Sequence, residues 1–293
     1  MLVVSEQPPA GDTSAFEYAN LVMTGLARLR AQLLDTRVQG LAVWDGTDTG
    51  DPGGTATVVK LWQESGLPLE HVELPGAESQ ATQPSQQSRA AGATRKRQSW
   101  PFEYTIEAML FADAVGYSRL TEAQVPLFFE HYAGEVAEYT DRTTHKAVHS
   151  ETAGDGLYMV FDSPDTAGHY ALGLSELING IDWCARGLPS HLGIRIGLHC
   201  GPVFVAVDPI TGRPQYSGIH TNRTARIEPI TPPGQVYASS AFAAVATARG
   251  FEGLRFSYIG RTQLAKDYGI LPLYHVKRDA RRVAKDKWRD RGV

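Results

Sequence analysis

Apolar positions recur along the chain with two different periods, and the changes of period divide it into zones. Phe16 to Leu34 carries a helical rhythm, and Val38 to Trp44 reads as a buried strand. Asp51-Pro52-Gly53-Gly54-Thr55 is a turn that opens a second helix through about Glu64, and Leu69 to Leu74 reads as another strand. Strand, Gly-rich turn, helix and strand make a βαβ unit, whose connection should be right-handed. One such unit plus a helix is small for an independent doubly wound domain. Residues 1–75 are therefore part of a Rossmann-like α/β segment, or they lean on the rest of the chain.

The apolar pattern then stops. Residues 76–99 are rich in Gln, Ser, Ala and Thr and end in Arg95-Lys96-Arg97. Such a stretch cannot offset its ordering entropy by burial, so it reads as a flexible linker; its basic cluster either touches a membrane or nucleic acid or, as is more usual for three charges in a linker, is simply solvated. From about Trp100 to Arg278 strand and helix patterns return in mixed order. Strands are expected at Ala108 to Ala112, Leu157 to Phe161 and Leu192 to His199, and helices over Glu122 to Arg142 and Thr166 to Ile181. Cys200-Gly201-Pro202 reads as a turn joining Leu192–His199 to an adjacent antiparallel strand, Val203 to Val207. Runs of this kind give an α+β sheet with helices packed on it. Residues 279–293 form a charged tail.

Composition narrows the class. With 293 residues, 42% apolar and 20% charged, the chain has the make-up of a soluble globular protein. A formal net charge of −4 gives no bulk signal for nucleic acid, and no apolar run reaches membrane-spanning length. The N-terminus lacks the regions of a signal peptide. Cys184 and Cys200 make neither a CxxC motif nor a disulfide framework, so a cytoplasmic location is expected.

Four pieces carry candidate chemistry. In Phe111-Ala112-Asp113-Ala114-Val115-Gly116 an Asp ends an apolar strand and a Gly follows three residues on. In Ala153-Gly154-Asp155-Gly156 an Asp sits between glycines, as at a tight hairpin tip. Two carboxylates brought together repel unless cations sit between them, and Mg²⁺ or Mn²⁺ is the usual answer; apart, each would be an ordinary turn aspartate. In Gly193-Ile194-Arg195-Ile196-Gly197-Leu198-His199, Arg195 interrupts an apolar strand. It either faces solvent or meets an anion, for which phosphate suits its planar fork. In Gly218-Ile219-His220-Thr221-Asn222-Arg223-Thr224-Ala225-Arg226, Asn222 and Arg226 share one helix face. There they either grip a ribose and a developing phosphate charge or belong to a solvated helix start.

In this order the four pieces resemble the catalytic domain of class III adenylyl and guanylyl cyclases, over about Thr105 to Val276. Pro233-Gly234-Gln235-Val236 and Tyr258-Ile259-Gly260 through Lys266 to Tyr274 belong to the match. The resemblance implies a ferredoxin-like α+β cyclase domain, an antiparallel sheet with packed helices, preceded by the small βαβ segment. It implies two divalent cations, Mn²⁺ or Mg²⁺, on Asp113 and Asp155, with the Ala114 carbonyl completing one site. Arg195 and Lys266 would hold phosphates, Asn222 would orient the ribose and Arg226 would stabilise charge on the α-phosphate. It further implies a nucleoside triphosphate substrate and a homodimer. One chain then supplies the aspartates of a site and the other supplies Asn222 and Arg226. No nucleic acid or membrane partner is implied.

Two further positions read the base in this family. Adenylyl cyclases place Lys and Asp there and guanylyl cyclases Glu and Cys, whereas this chain has Glu151 and Gln215. The adenylyl pattern is broken. Glu151 can accept from N–H groups, as on guanine, while Gln215 both donates and accepts and fits no single base. Gly201-Pro202-Val203-Phe204, Asp208-Pro209-Ile210-Thr211 and Ala225-Arg226-Ile227-Glu228-Pro229-Ile230 resemble a bacterial cyclase subgroup whose members often carry a sensor-like α/β segment in front, as residues 1–75 would be here, and which shades into the pyrimidine cyclases of Pycsar antiphage signalling. The expected product is cyclic UMP before cyclic CMP, with cyclic GMP as the alternative and an effector encoded elsewhere. A second class is a non-catalytic, nucleotide-sensing cyclase-like module. Such a module would lose a metal Asp or the Asn/Arg pair, and all four are present. Gly53-Gly54-Thr55 could cradle a phosphate at a helix start, but neither GxGxxG nor a P-loop is present and a plain tight turn is favoured.

Overall fold

The computed structural model describes residues 14–48, 53–73, 103–250 and 253–279. The linker expected at 76–99, the Arg95-Lys96-Arg97 cluster, Asp51-Pro52 and residues 280–293 of the tail lie outside them. Among the described residues no helix is long and apolar enough to cross a membrane.

The first elements are α1 (Ser14–Leu33), β1 (Gly40–Trp44), α2 (Thr55–Glu64) and β2 (Leu69–Glu73), and β1 pairs in parallel with β2 from Gly40↔Leu69 to Trp44↔Glu73. Trp62 of α2 covers one face of this two-stranded sheet. A Cβ on Gly40 would come within 2.7 Å of its ring. The buried strand expected at Val38–Trp44 is corrected. Leu41 is 65% and Val43 55% exposed, because successive side chains point to opposite faces and a two-stranded sheet has only α2 to cover one of them. Gly53 has φ +82°, and a Cβ there would meet Phe16 Cβ at 2.6 Å; Asn20 Nδ2 donates to its carbonyl at 2.8 Å. Close packing on α1 therefore accounts for that glycine.

The larger sheet contains β3 (Glu103–Val115), β4 (His149–Ala153), β5 (Gly156–Phe161), β6 (Gly193–Val207), β7 (Pro214–Ser217), β8 (Val236–Ser239), β9 (Leu254–Gln263) and β10 (Ile270–Arg278). Their spatial order is β4-β5-β3-β6-β8-β10-β9, with β7 added to β6. All pairings are antiparallel except β6 with β8, which is parallel. The expected antiparallel sheet is thus a mixed one within an α+β fold. A parallel neighbour needs a crossover, and α6 (Ile219–Ile227) lies in that connection.

The turn expected at Cys200-Gly201-Pro202 does not form. β6 runs unbroken and pairs with β3 from Gly193 to Val205. On its other edge Ile196–Leu198 pair with β8 and Phe204–Val207 with β7. Pro202 falls in the interval between these partners, where a residue without an N–H costs the ladder least. Gly201 admits a helix rather than a turn, since a Cβ there would lie 2.3 Å from His220 Nδ1.

Strand alternation divides the sheet by chemistry. Ala108, Leu110 and Ala112 of β3 and Ile194, Ile196 and Leu198 of β6 face the main core. There they meet α5 (Pro164–Gly180), capped by Ser163, and α7 (Ser240–Ala248), capped by Ser239. Met109, Phe111 and Asp113, and Arg195, His199 and Val203, have the other parity and face α6. Every residue of α7 is buried, and α1 lies across it. A Cβ on Gly25 would be 1.8 Å from the Ala244 carbonyl oxygen, while Arg28 and Ser65 donate to Ala248 O at the end of α7.

Between β3 and β4 the helical stretch is not uniform. α3 (Gln124–Leu127) passes through a π-helical turn, Phe128–Ala133, into α4 (Gly134–Arg142). Phe128 and Tyr132 stack at 4.7 Å, and the Tyr132 hydroxyl donates to Gly193 O at 3.0 Å, which ties this turn to the start of β6.

Candidate active site

Asp113 arrives near the end of β3, and Gly116, with φ +97°, lets the chain leave the sheet directly afterwards. On β5 its register partner is Gly156, so Asp155 is one residue from it. Gly154 and Asp155 form the two-residue tip of the β4–β5 hairpin. Only Gly154 has positive φ, +64°, which matches the demand of a II′ turn for Gly at its first central position. Burial raises the Asp155 carboxyl above its usual range, and the neighbouring Asp113 adds to the rise.

Across the sheet Asp113 faces Arg195 in register, and Arg195 Nη2 donates to Asp113 Oδ2 at 2.6 Å. Arg195 Nε donates to Glu228 Oε1. Burial pulls the guanidinium pKa down, but the Glu228 and Asp113 carboxylates outweigh it and hold it above its ordinary value. The anion that meets Arg195 within the chain is therefore a carboxylate pair. Glu228 follows α6 directly, and Gly197 makes room for it: a Cβ there would be 2.6 Å from Glu228 N.

Asp113, Asp155, Glu151 and Gln215 line one cleft of about 810 Å³, together with Phe128, Tyr132 and His149. Ala114 is buried beside Asp113, in register with Ile194. Glu151 and Gln215 come from β4 and β7. Their strands are linked by Tyr158, which stacks on Phe111 at 4.6 Å and donates to Tyr216 O at 3.0 Å. Ala114, Arg195, Asn222, Arg226 and Lys266 are not among the residues that line the cleft. Asn222 is exposed on α6 and Arg226 is half-buried one turn on. Lys266 is exposed in the β9–β10 connection, where Lys266 and Asp267 have φ +56° and +52°. That connection is tied to α6, since Tyr268 donates to Ile219 O at 3.3 Å and Leu264 packs with Ile227.

Among the described residues no group of three or more His, Cys, Asp or Glu side chains gathers at metal-ligating spacing. The pair Asp113/Asp155 nonetheless suits a divalent ion that keeps water and substrate phosphates as its other ligands, because the charge of Asp113 works against ionisation of Asp155 and a cation between them offsets that repulsion.

Three partners were not legible as site residues. Glu228 carries a signal: a carboxylate at a helix C-terminus opposes the helix dipole, so a buried one needs a cation. His149 lies two residues before Glu151 on a strand, hence on the same face. His220 sits at the start of α6, and only the fold brings it to His199, whose Nε2 is 2.8 Å from His220 Nδ1.

Residues 103–269, more than half of the chain, match the family described as the adenylate and guanylate cyclase catalytic domain. The chain therefore belongs to that family of nucleotidyl cyclases. Among curated relatives, the receptor-type guanylate cyclase gcy-6 of Caenorhabditis elegans is 29% identical over 150 residues, 47% of this chain and 14% of that protein. The chain thus spans only a small part of that relative's length. Among solved structures, the guanylate cyclase domain of RhGC from Catenaria anguillulae in complex with GTP superposes with a TM-score of 0.51 at 20% identity, over 60% of this chain and 98% of that one. The adenylyl cyclase CyaB from P. aeruginosa does so with a TM-score of 0.51 at 16% identity, over 61% and 97%. At these identities the two structures speak for the fold.

Proposed function

We propose that this chain closes a nucleoside triphosphate into its 3′,5′-cyclic monophosphate with release of pyrophosphate, using two divalent cations, and that its substrate is a pyrimidine nucleotide, UTP before CTP. The observation that carries the reading is the pairing of Asp113 with Asp155 in a cleft also lined by Glu151 and Gln215. Divalent cations on Asp113, Asp155 and the Ala114 carbonyl would lower the pKa of the ribose 3′-hydroxyl and neutralise the phosphates. The 3′ oxygen bonds to the α-phosphorus, the bond to the bridging oxygen of pyrophosphate breaks, and the 3′ proton leaves to solvent. Arg195, through the donors not engaged with Asp113 and Glu228, and Lys266 hold the terminal phosphates. Asn222 orients the ribose and Arg226 stabilises charge on the α-phosphate.

Asn222, Arg226 and Lys266 stand outside the cleft of their own chain, which supports a homodimer in which each cleft receives α6 of the partner. The broken adenylyl pattern and the subgroup resemblance support a pyrimidine product, a second messenger in bacterial antiphage defence made in the cytoplasm for an effector encoded elsewhere. Cyclic GMP is the second reading, favoured by Glu151 and by the guanylate cyclase relative. A product assay with Mn²⁺ and each of ATP, GTP, CTP and UTP tests the base, and turnover of ATP alone overturns this reading. Pyrophosphate release that persists in Asp113→Ala overturns the metal assignment. No release from any nucleotide favours the nucleotide-sensing module instead.

A further inference from the structure

The base-reading end of the cleft contains a side chain that none of the assigned roles uses. His149 Nε2 lies 2.8 Å from Glu151 Oε1, with His149 mostly buried and Glu151 half exposed. A carboxylate only accepts, so Nε2 carries the hydrogen and His149 donates. The imidazole is packed at 5.1 Å from the ring of Tyr216, the neighbour of Gln215, and at 6.0 Å from Tyr158. One side chain thus touches β7 at Gln215's neighbour and fixes the Glu151 carboxylate on β4.

We infer that His149 is a specificity-determining positioning residue that disfavours guanine by engaging one of the two oxygens with which Glu151 would read it. The inference rests on the pyrimidine reading above. A guanine edge presents two adjacent donors, the ring N1–H and the exocyclic amine, and a carboxylate matches them with two parallel bonds. With Oε1 already bonded to His149, such an edge has to share that oxygen with the imidazole. Uracil presents a single N–H between two carbonyls. Oε2 of Glu151 accepts from that N–H, and the Gln215 amide donates to a flanking carbonyl. The same Glu that reads guanine elsewhere in the family then serves a one-donor base here, and the difference lies in a residue two positions away.

The test is the ratio of kcat/KM for GTP to that for UTP in the full chain. His149→Phe keeps a ring between the tyrosines and frees Oε1, and the ratio rises about tenfold or more, as loss of a charged hydrogen-bond constraint implies. His149→Gln keeps a donor at the Nε2 position and holds the ratio near that of the wild type. Equilibrium competition by unlabelled GTP and UTP shifts in the same direction. A merely structural role for His149 lowers turnover of every nucleotide alike and leaves the ratio unchanged. An unchanged ratio in His149→Phe of a UTP-preferring protein overturns the inference alone. A wild type that prefers GTP overturns the base reading and His149's role with it.

Discussion

Two groups of candidate residues carry the proposed chemistry, and the fold treats them differently. Asp113, Asp155, Glu151 and Gln215 come from three strand pairings that the chain makes with itself, and they meet in one cleft. Asn222, Arg226 and Lys266 ride on α6 and the connection tied to it, outside that cleft. On the proposed homodimer reading each group is one half of a site that a second chain completes, and the ties between α6, its neighbouring connection and the sheet hold the second group in place.

The largest effect separates the groups by genetics rather than by contact. Asp113→Ala and Asn222→Ala should each lower turnover by roughly a thousandfold, since each removes charge or orientation needed only in the transition state. Mixed in equal amounts and allowed to re-assort, the two inactive chains should recover about one quarter of wild-type turnover, because half of the dimers are mixed and each of those has one intact site. Recovery measured by pyrophosphate release sharpens the comparison. A mixture as inactive as its parents breaks it and puts both groups in one chain's site.

This division was only partly legible beforehand. Asp113, Asp155 and the hairpin tip announce themselves, because a carboxylate next to a glycine at a strand end is a local pattern. Arg195 stood out by interrupting an apolar strand, but its partner Glu228 did not, since Glu228 lies on another element and only tertiary folding brings it across Gly197. Gly201-Pro202 misled for a physical reason: the same dipeptide that marks a turn also serves a strand that needs close approach on one face and a missing partner on one edge. The π-helical turn at Phe128–Ala133 leaves no mark in apolar periodicity, which reports a face and not a hydrogen-bond spacing. The exposed Leu41 and Val43 could not be foreseen, because burial depends on how many layers cover a sheet.

The next effect acts on the tie at the C-terminal end of α6. Glu228→Ala leaves Arg195 charged, half-buried and paired with Asp113 alone. Loss of one charged hydrogen bond costs about 2 kcal/mol, and a chain of this size then melts about 5 °C lower. Turnover should fall as well, because Arg195 is drawn further onto Asp113. A thermal scan alongside a rate measurement tests this, and a variant that melts with the wild type shows that Glu228 does not anchor α6.

The tie at the other end of α6 is a buried histidine pair. His199 Nδ1 bonds Ser239 Oγ at 2.6 Å and its Nε2 bonds His220 Nδ1. Burial, and after it the charge of Arg223, depresses His220 from 6.5 to about 3, and burial lowers His199 too. Folded-state values below the unfolded ones mean that the unfolded chain binds more protons, so stability is full above about pH 6.5 and is lost as pH falls toward about 3. Between pH 8 and pH 5.5 the protons His220 binds only in the unfolded chain remove on the order of 1 kcal/mol. Urea midpoints at the two pH values read this directly, and in His220→Leu the decline should be shallower. An equal decline in both proteins places the acid sensitivity elsewhere.

The smallest effect tests whether α1 reaches the second group. Tyr18 is fully buried, its hydroxyl donates to Cys200 O at 2.8 Å, and its ring meets His220 edge to face at 5.3 Å. Cys200 lies on β6 between the stretches paired with β8 and β7, and α1 reaches its carbonyl there. Tyr18→Phe removes that bond and keeps the ring. It should cost about 1 kcal/mol and about 3 °C in melting temperature, with turnover unchanged at temperatures well below the transition. Tyr18→Ala also removes the ring that backs His220, and with it one wall against which α6 is held. If α1 contributes to presenting Asn222 and Arg226, turnover falls in Tyr18→Ala at a temperature where both variants remain folded, and the fall is rescued by Phe. Equal turnover in the two variants would confine α1 to stability and leave the angle of α6 to Glu228 and the histidine pair.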